Sequence, residues 1–218
     1  MTDFLRVGGA AISFTEAREI AGRYLRNESG TYAYPAYDTY PGTPGGELGR
    51  QDLLAITLLN AGHNAIETYY GLEKLLPELN RRLAHPALAG TFEDARPNTL
   101  GAIAELLGIT SDFPTRFVPG PTKVAKIVHL KKPELLPLFD KNIVRCYSEL
   151  GDPPVPKDPE RSWKGYLKAW LPAVKDDLIS QLASWQELAA LAPGPKISPL
   201  RALDIVGWEL GRRGNGPE

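Results

Sequence analysis

Residues 117–150 read FVPGPTKVAKIVHLKKPELLPLFDKNIVRCYSEL, and their layout sets the architecture. Pro121 suits the first turn of a helix, where a missing N–H costs nothing. Val124, Ile127 and Val128 then recur at helical spacing until Pro133 forbids continuation. A short apolar turn, Leu135 to Phe139, leads to Asp140, a natural N-cap. Behind it Ile143, Val144, Tyr147 and Leu150 form one stripe, and Gly151 ends the helix. Helix, apolar turn, aspartate, helix is the unit from which the rest is read.

The same periodicity recurs outward in both directions. Ser13-Phe14-Thr15-Glu16 has the form of a capping box. Ala17, Ile20, Ala21, Tyr24 and Leu25 follow it on one face of a helix that ends near Asn27. Residues 50–60 are apolar on most sides and predict a buried helix stopped by Gly62. Residues 64–84 predict two helical pieces meeting at Pro77. Asn98 or Thr99 caps a helix closed by Gly108. Helices are expected near 160–171, 173–183 and 184–192, and a last one is capped by Ser198 with Pro199 in its first turn. A short extended piece near 31–36 is the one candidate strand. The expected fold is all-α, with nine or ten helices in two interlocked subdomains. One is central, 50–151, with the hairpin-like element 117–150. The other joins 1–49 to 152–218.

Composition narrows the classes. A chain of 218 residues with 43% hydrophobic and 23% charged residues is that of a globular protein with a real core. Twenty-one glycines and 20 prolines fit many short elements joined by marked turns. The single Cys146 excludes an intrachain disulfide, a zinc knuckle and a cysteine-held iron–sulfur cluster. It also fits a reducing compartment. The N-terminus is a poor signal peptide and no run is long and apolar enough for a membrane span. A cytoplasmic protein is expected. His85 and His129 are isolated, so no metal and no cofactor is expected.

Net charge is −1, from 25 basic and 26 acidic side chains, which excludes a globally basic nucleic-acid binder. The charge is uneven, however. Arg116, Lys123, Lys126, Lys131, Lys132, Lys141 and Arg145 face only Glu134 and Asp140 between 116 and 145. A local basic face of this kind attracts a phosphate backbone. The loop 31–49, TYAYPAYDTYPGTPGGELG, carries four tyrosines, and loops of that length are commonly functional.

The segment 117–150 resembles the helix-hairpin-helix base-excision DNA glycosylases, the superfamily of endonuclease III. Pro119-Gly120 stands where that family opens its hairpin, Lys123-Val124-Ala125 where its helix begins, and Pro137-Leu138-Phe139-Asp140 where its aspartate lies. The resemblance implies excision of a damaged or modified base from DNA, with Asp140 as the carboxylate that stabilises an oxocarbenium-like transition state. It implies Lys123 near the position of the nucleophilic lysine of bifunctional members, and DNA contacts from Gly120, Thr122, Lys126, Lys131, Lys132 and Lys141. Two departures stand out. The turn Gly120-Pro121-Thr122 lacks the second glycine of the hairpin, and Lys141-Asn142 follows the aspartate. A monofunctional enzyme is the version that needs no lysine nucleophile.

An extruded base needs a stacking and hydrogen-bonding pocket. Tyr37, Asp38 and Tyr40 of the loop, with Asn60 and His63, are candidates for its wall. Arg201 and Asp204 share a face of the last helix, and if buried they would orient something in a cleft. Two alternatives stay open: a non-catalytic nucleic-acid or partner-binding module, and an N-glycosidase acting on free nucleosides or nucleotides.

Overall fold

The structure, a computed structural model, describes residues 3–59, 64–113 and 120–213. In chain order its elements are β1 (Phe4–Val7), β2 (Ala10–Ser13), α1 (Phe14–Arg26), a 3₁₀ segment (Asp52–Leu59), α2 (Ala65–Leu83), α3 (Pro97–Leu107), a second 3₁₀ turn (Gly108–Ser111), α4 (Pro121–His129), α5 (Lys141–Ser148), α6 (Trp163–Ser180), α7 (Leu182–Ala189) and α8 (Pro199–Arg213). The expected all-α class holds. None of these helices is long and apolar enough to cross a membrane.

The caps behave as their residue types dictate. Ser13 accepts from the Glu16 N–H at 3.2 Å and starts α1. Asn27 ends it in the left-handed region at φ 47°. Ser198 starts α8 by accepting from the Arg201 N–H at 3.1 Å.

Elsewhere the chain departs from the expected elements, each time for a local reason. Residues 31–36 form no strand. The Asn27 side chain donates to the Tyr32 and Tyr34 carbonyls and accepts from the Tyr32 N–H, so this backbone is satisfied without a partner strand. The strands are instead β1 and β2, an antiparallel hairpin turning through Gly8-Gly9. Gly8 has φ +61°, and a Cβ there would lie 2.3 Å from the Cys146 carbonyl oxygen. Gly-Gly between two short runs is a hairpin signal.

Residues 52–59 wind as a 3₁₀ segment rather than the expected α-helix. Asp52 and Ala55, and Leu53 and Ile56, are buried while Leu54 and Thr57 are exposed, a period of three that matches 3₁₀ geometry. Neither Pro77 nor Pro172 ends its helix. Both rings lie on the solvent side, where water can take the freed carbonyl. The helices expected near 160–171 and 173–183 are therefore one, unbroken over Trp163–Ser180. α3 is preceded by Arg96 rather than by Asn98 or Thr99 and begins two or three residues earlier than expected, with Pro97 in its first turn.

One buried cluster joins residues of the 50–151 region, such as Leu53, Leu106 and Phe139, with Leu5, Leu171 and Leu203 from either end of the chain. Within it α8 packs against α1, α5 and α7. Along α6, Tyr166 and Trp170 are buried and Trp163 stays 49% exposed. The α5–α8 contact is close. A Cβ on Gly211 would lie 2.0 Å from the Asn142 carbonyl oxygen, whereas one on Gly207 would meet only methyls of Val7 and Ile143 near 3 Å.

That contrast predicts different costs for the same change. Gly→Ala in a helix gains about 1 kcal/mol of propensity. At Gly207 small shifts of side chains should nearly cancel it. At Gly211 backbone must move, and overpacking of about 1–3 kcal/mol should leave Gly211→Ala net destabilised. Urea unfolding of the two variants measures the difference.

Candidate functional site

The site grows from the turn between α4 and α5. Asp140 sits in extended backbone, and its Oδ1 accepts from the Asn142 and Ile143 N–H groups at 2.9 and 3.0 Å. The cap fixes one carboxylate oxygen. Among the described residues the other accepts no hydrogen bond. The side chain is half-buried.

Behind the turn lies Lys126 of α4, buried, its Nζ donating to the Leu59 carbonyl at 2.8 Å. Burial pulls its pKa below the ordinary lysine value, and the Asp140 carboxylate is the largest influence holding it up. Tyr37 of the loop is fully buried and donates its hydroxyl to the Lys126 carbonyl at 2.6 Å. Its ring stacks on His129 with centroids 6.0 Å apart. The His129 Nδ1 lies 2.6 Å from the Leu136 carbonyl. Burial, helped by the Arg201 charge, pushes its pKa down to about 4.

The third wall is α8. Arg201 is only 3% exposed, and each of its three guanidinium nitrogens donates a hydrogen bond. Nε and one terminal nitrogen donate to the two Asp38 oxygens at 2.9 and 3.3 Å. The other terminal nitrogen donates to Asp204, and Tyr24 accepts a further bond at 3.2 Å. The cation also lies over the Tyr24 and Tyr37 rings, 5.6 and 5.7 Å from their centroids. Burial opposes the charge on Arg201, but Tyr24, Asp38 and Asp204 outweigh it and hold the guanidinium above its ordinary value. Burial pushes the Asp204 carboxyl up to about 6. The Asp140 charge adds to that shift, while Arg201 and Lys126 oppose it. Asp38, Asp140 and Asp204 thus share one region with Arg201 and Lys126, three carboxylates against two cations.

The residues expected at the site are spread over several roles. Tyr37 and Asp38 come to the cluster. Tyr40 donates to the Gln51 carbonyl at 2.8 Å and ties the loop to the 3₁₀ segment. Asn60, His63, Arg116 and Pro119 lie outside the described residues. Lys123 donates to the Thr68 hydroxyl on α2 at 2.5 Å, and burial lowers its pKa while Glu67 opposes the shift. It is Lys126, rather than Lys123, that shares the field of Asp140. The basic residues form a less open face than their spacing suggests. Lys131 pairs with the fully buried Asp52 at 3.0 Å and donates to Thr43. Lys132 donates to the Leu88 carbonyl and Arg145 to the Gly211 carbonyl. Lys141 and Gly120 are exposed, and Thr122 is half-buried. Among the described residues no group of three or more His, Cys, Asp and Glu side chains could hold a metal ion.

The burial of Lys126 near Asp140 and Asp204 escapes a sequence reading. Lys126 looks like one more surface lysine, and its burial follows from the packing of α4 on the 3₁₀ segment. The i, i+3 spacing of Arg201 and Asp204, inside a helix apolar on its other faces, is the signal that was available.

A family model described as a family of unknown function, DUF6308, matches residues 17–211. The match contains every member of the cluster. No curated protein and no solved structure matches the chain.

The cluster predicts an altered pH dependence. The Asp204 pKa is raised on folding, so its contribution is present below about 4 and is lost as pH rises through 6. His129 has the opposite sign: its lowered pKa gives stability above 6.5 that is lost as pH falls towards 4. The two oppose each other across nearly the same window. Asp204→Asn removes one side, so its unfolding free energy should rise more steeply from pH 4 to 6 than that of the wild type. The added slope is at most about 1.4 kcal/mol per pH unit, read by urea unfolding at each pH.

Proposed function

The chain belongs to DUF6308, a family of unknown function, and on that premise we propose that it hydrolyses an N-glycosidic bond, as a monofunctional DNA N-glycosylase. The observation that carries the proposal is the half-buried Asp140 carboxylate at a helix start, one oxygen of which is held by two backbone amides, with Lys126 and Asp204 in its electrostatic field. Water forms the new carbon–oxygen bond at the anomeric carbon and gives up a proton, while the base leaves with the electron pair of the carbon–nitrogen bond and takes up a proton. Positive charge builds on the sugar ring in between. The carboxylate of Asp140 is a fixed counter-charge for that ring: one oxygen is held by two amides and the other is left to face the sugar. The N-terminal end of α5 presents its partial positive charge to that carboxylate. The net negative charge of the cluster favours the same cation. The proposed partner is DNA and the proposed setting is the cytoplasm.

A second reading keeps the chemistry and changes the substrate to a free nucleoside or nucleotide. What favours it is the internal use of Lys126, Lys131 and Lys132, which leaves fewer cations for a long phosphate track. Pro121 also offers no N–H to a phosphate.

Asp140→Asn separates charge from fold, because asparagine caps a helix about as well as aspartate. Base release from duplexes carrying modified bases should fall about 10²–10³-fold, while the thermal midpoint changes little. Lys123→Gln should retain release, and borohydride should trap no covalent adduct. Turnover of nucleosides with weak duplex binding identifies the second reading. Salt-sensitive duplex binding with no release from any substrate, unchanged in Asp140→Asn, overturns both in favour of a binding module.

A further inference from the structure

A cavity of about 460 Å³ opens between α5, the proline-rich connector at 152–159 and the start of α6. It involves none of the residues assigned above. Its apolar wall is made by Val144, Pro159 and the rings of Trp163 and Tyr166. Trp163 is 49% exposed yet firmly placed. Its ring meets Phe139 edge-on at 5.9 Å and Tyr166 at 6.1 Å. A large indole held in position at an opening is a ready stacking surface that needs little ordering on binding. The connector is itself anchored, since the Val155 N–H donates to the Tyr147 carbonyl at 3.0 Å.

The polar groups select among ligands. At the floor, Ser148 donates its hydroxyl to the Tyr166 oxygen at 3.0 Å, so the phenolic hydrogen of Tyr166 is left to donate elsewhere. Burial pushes that phenol up to about 12, and it stays protonated at any ordinary pH. At the rim the charges are already matched. Lys157 pairs with Glu149 at 3.0 Å and Arg161 with Asp158 at 3.6 Å. A charged ligand entering the apolar interior would lose hydration without gaining an unmatched counter-charge. The volume lies within the range of pockets that hold compact small molecules.

We propose that this cavity binds an uncharged bicyclic aromatic molecule, with its rings against Trp163 and a hydrogen-bond acceptor on the Tyr166 hydroxyl. Asp140 does not line this cavity, and the proposal does not rest on the reaction assigned to it.

Three probes share one ring system and differ in charge: 2-naphthamide, 2-naphthoate and 2-naphthamidine. Titration calorimetry on the full chain should give saturable one-to-one binding of the amide. The carboxylate and the amidinium should bind at least about tenfold more weakly. Val144→Phe fills the cavity from α5 and should abolish binding. Trp163→Ala, at an exposed side chain that puts little of the fold at risk, should weaken it, and Tyr166→Phe should weaken the amide selectively. Thermal midpoints verify that each variant is folded. No saturable heat with the amide in the wild type overturns the proposal. So does equal affinity for all three probes, or undiminished binding in folded Val144→Phe and Trp163→Ala.

Discussion

The buried guanidinium of Arg201 is the constraint on which the site depends. It joins α8 to Asp38 in the tyrosine loop and to Asp204 one turn along its own helix, between the rings of Tyr24 and Tyr37. Burying an ion is expensive, and the attraction of its partners does little more than repay that cost when every donor is used. Here the fork is matched by two carboxylates and a phenol. The return is therefore mainly specificity: with any other placement of the loop the buried cation would lose both bonds to Asp38, and removing one partner of a buried ion pair costs several kcal/mol. The loop is long and rich in glycine, yet it has one position.

The same interaction shapes the electrostatics around Asp140. Arg201 is taken up by Asp38 and Asp204, so the carboxylate at the start of α5 is not neutralised by it. Lys126 feels the Asp140 charge, but its ammonium donates to the Leu59 carbonyl. The cluster is dense in charge but sets one carboxylate apart. A chemistry that passes through a transient cation is suited by that imbalance. A chemistry that needs a strong nucleophile finds less here, since Lys123 is engaged on α2.

How far the structure was legible in the sequence follows from the range of each interaction. Caps and their partners lie within three or four residues, and Ser13, Asn27, Asp140 and Ser198 all act as their types require. The hairpin was hidden because its strands have four residues each, too few for alternation to stand out. The 3₁₀ segment was read as α because an apolar run has no sharp period in sequence, and only burial reveals one of three. Proline was read as a stop at 77 and 172, but a proline on the water side is tolerated. In the site, Asp140 and Asp38 could be chosen from residue type and surroundings. The destinations of Lys126, Lys131 and Lys132 could not, because each acceptor is a carbonyl or carboxylate more than 40 residues away.

The tyrosine loop is held at three places by three different parts of the molecule. Asn27 clasps its beginning to α1, Arg201 holds its middle to α8, and Asp52 gathers its end by accepting from the Thr43 and Gly49 N–H groups. Between the last two of those contacts, a Cβ added at Gly45 or Gly46 would meet nothing within 4 Å. That tip is a place where the chain can grow or shorten without a conformational debt elsewhere. Relatives are free to diverge in length there while the clasp on either side stays the same, and a label or tag inserted at the tip would sit outside the working parts.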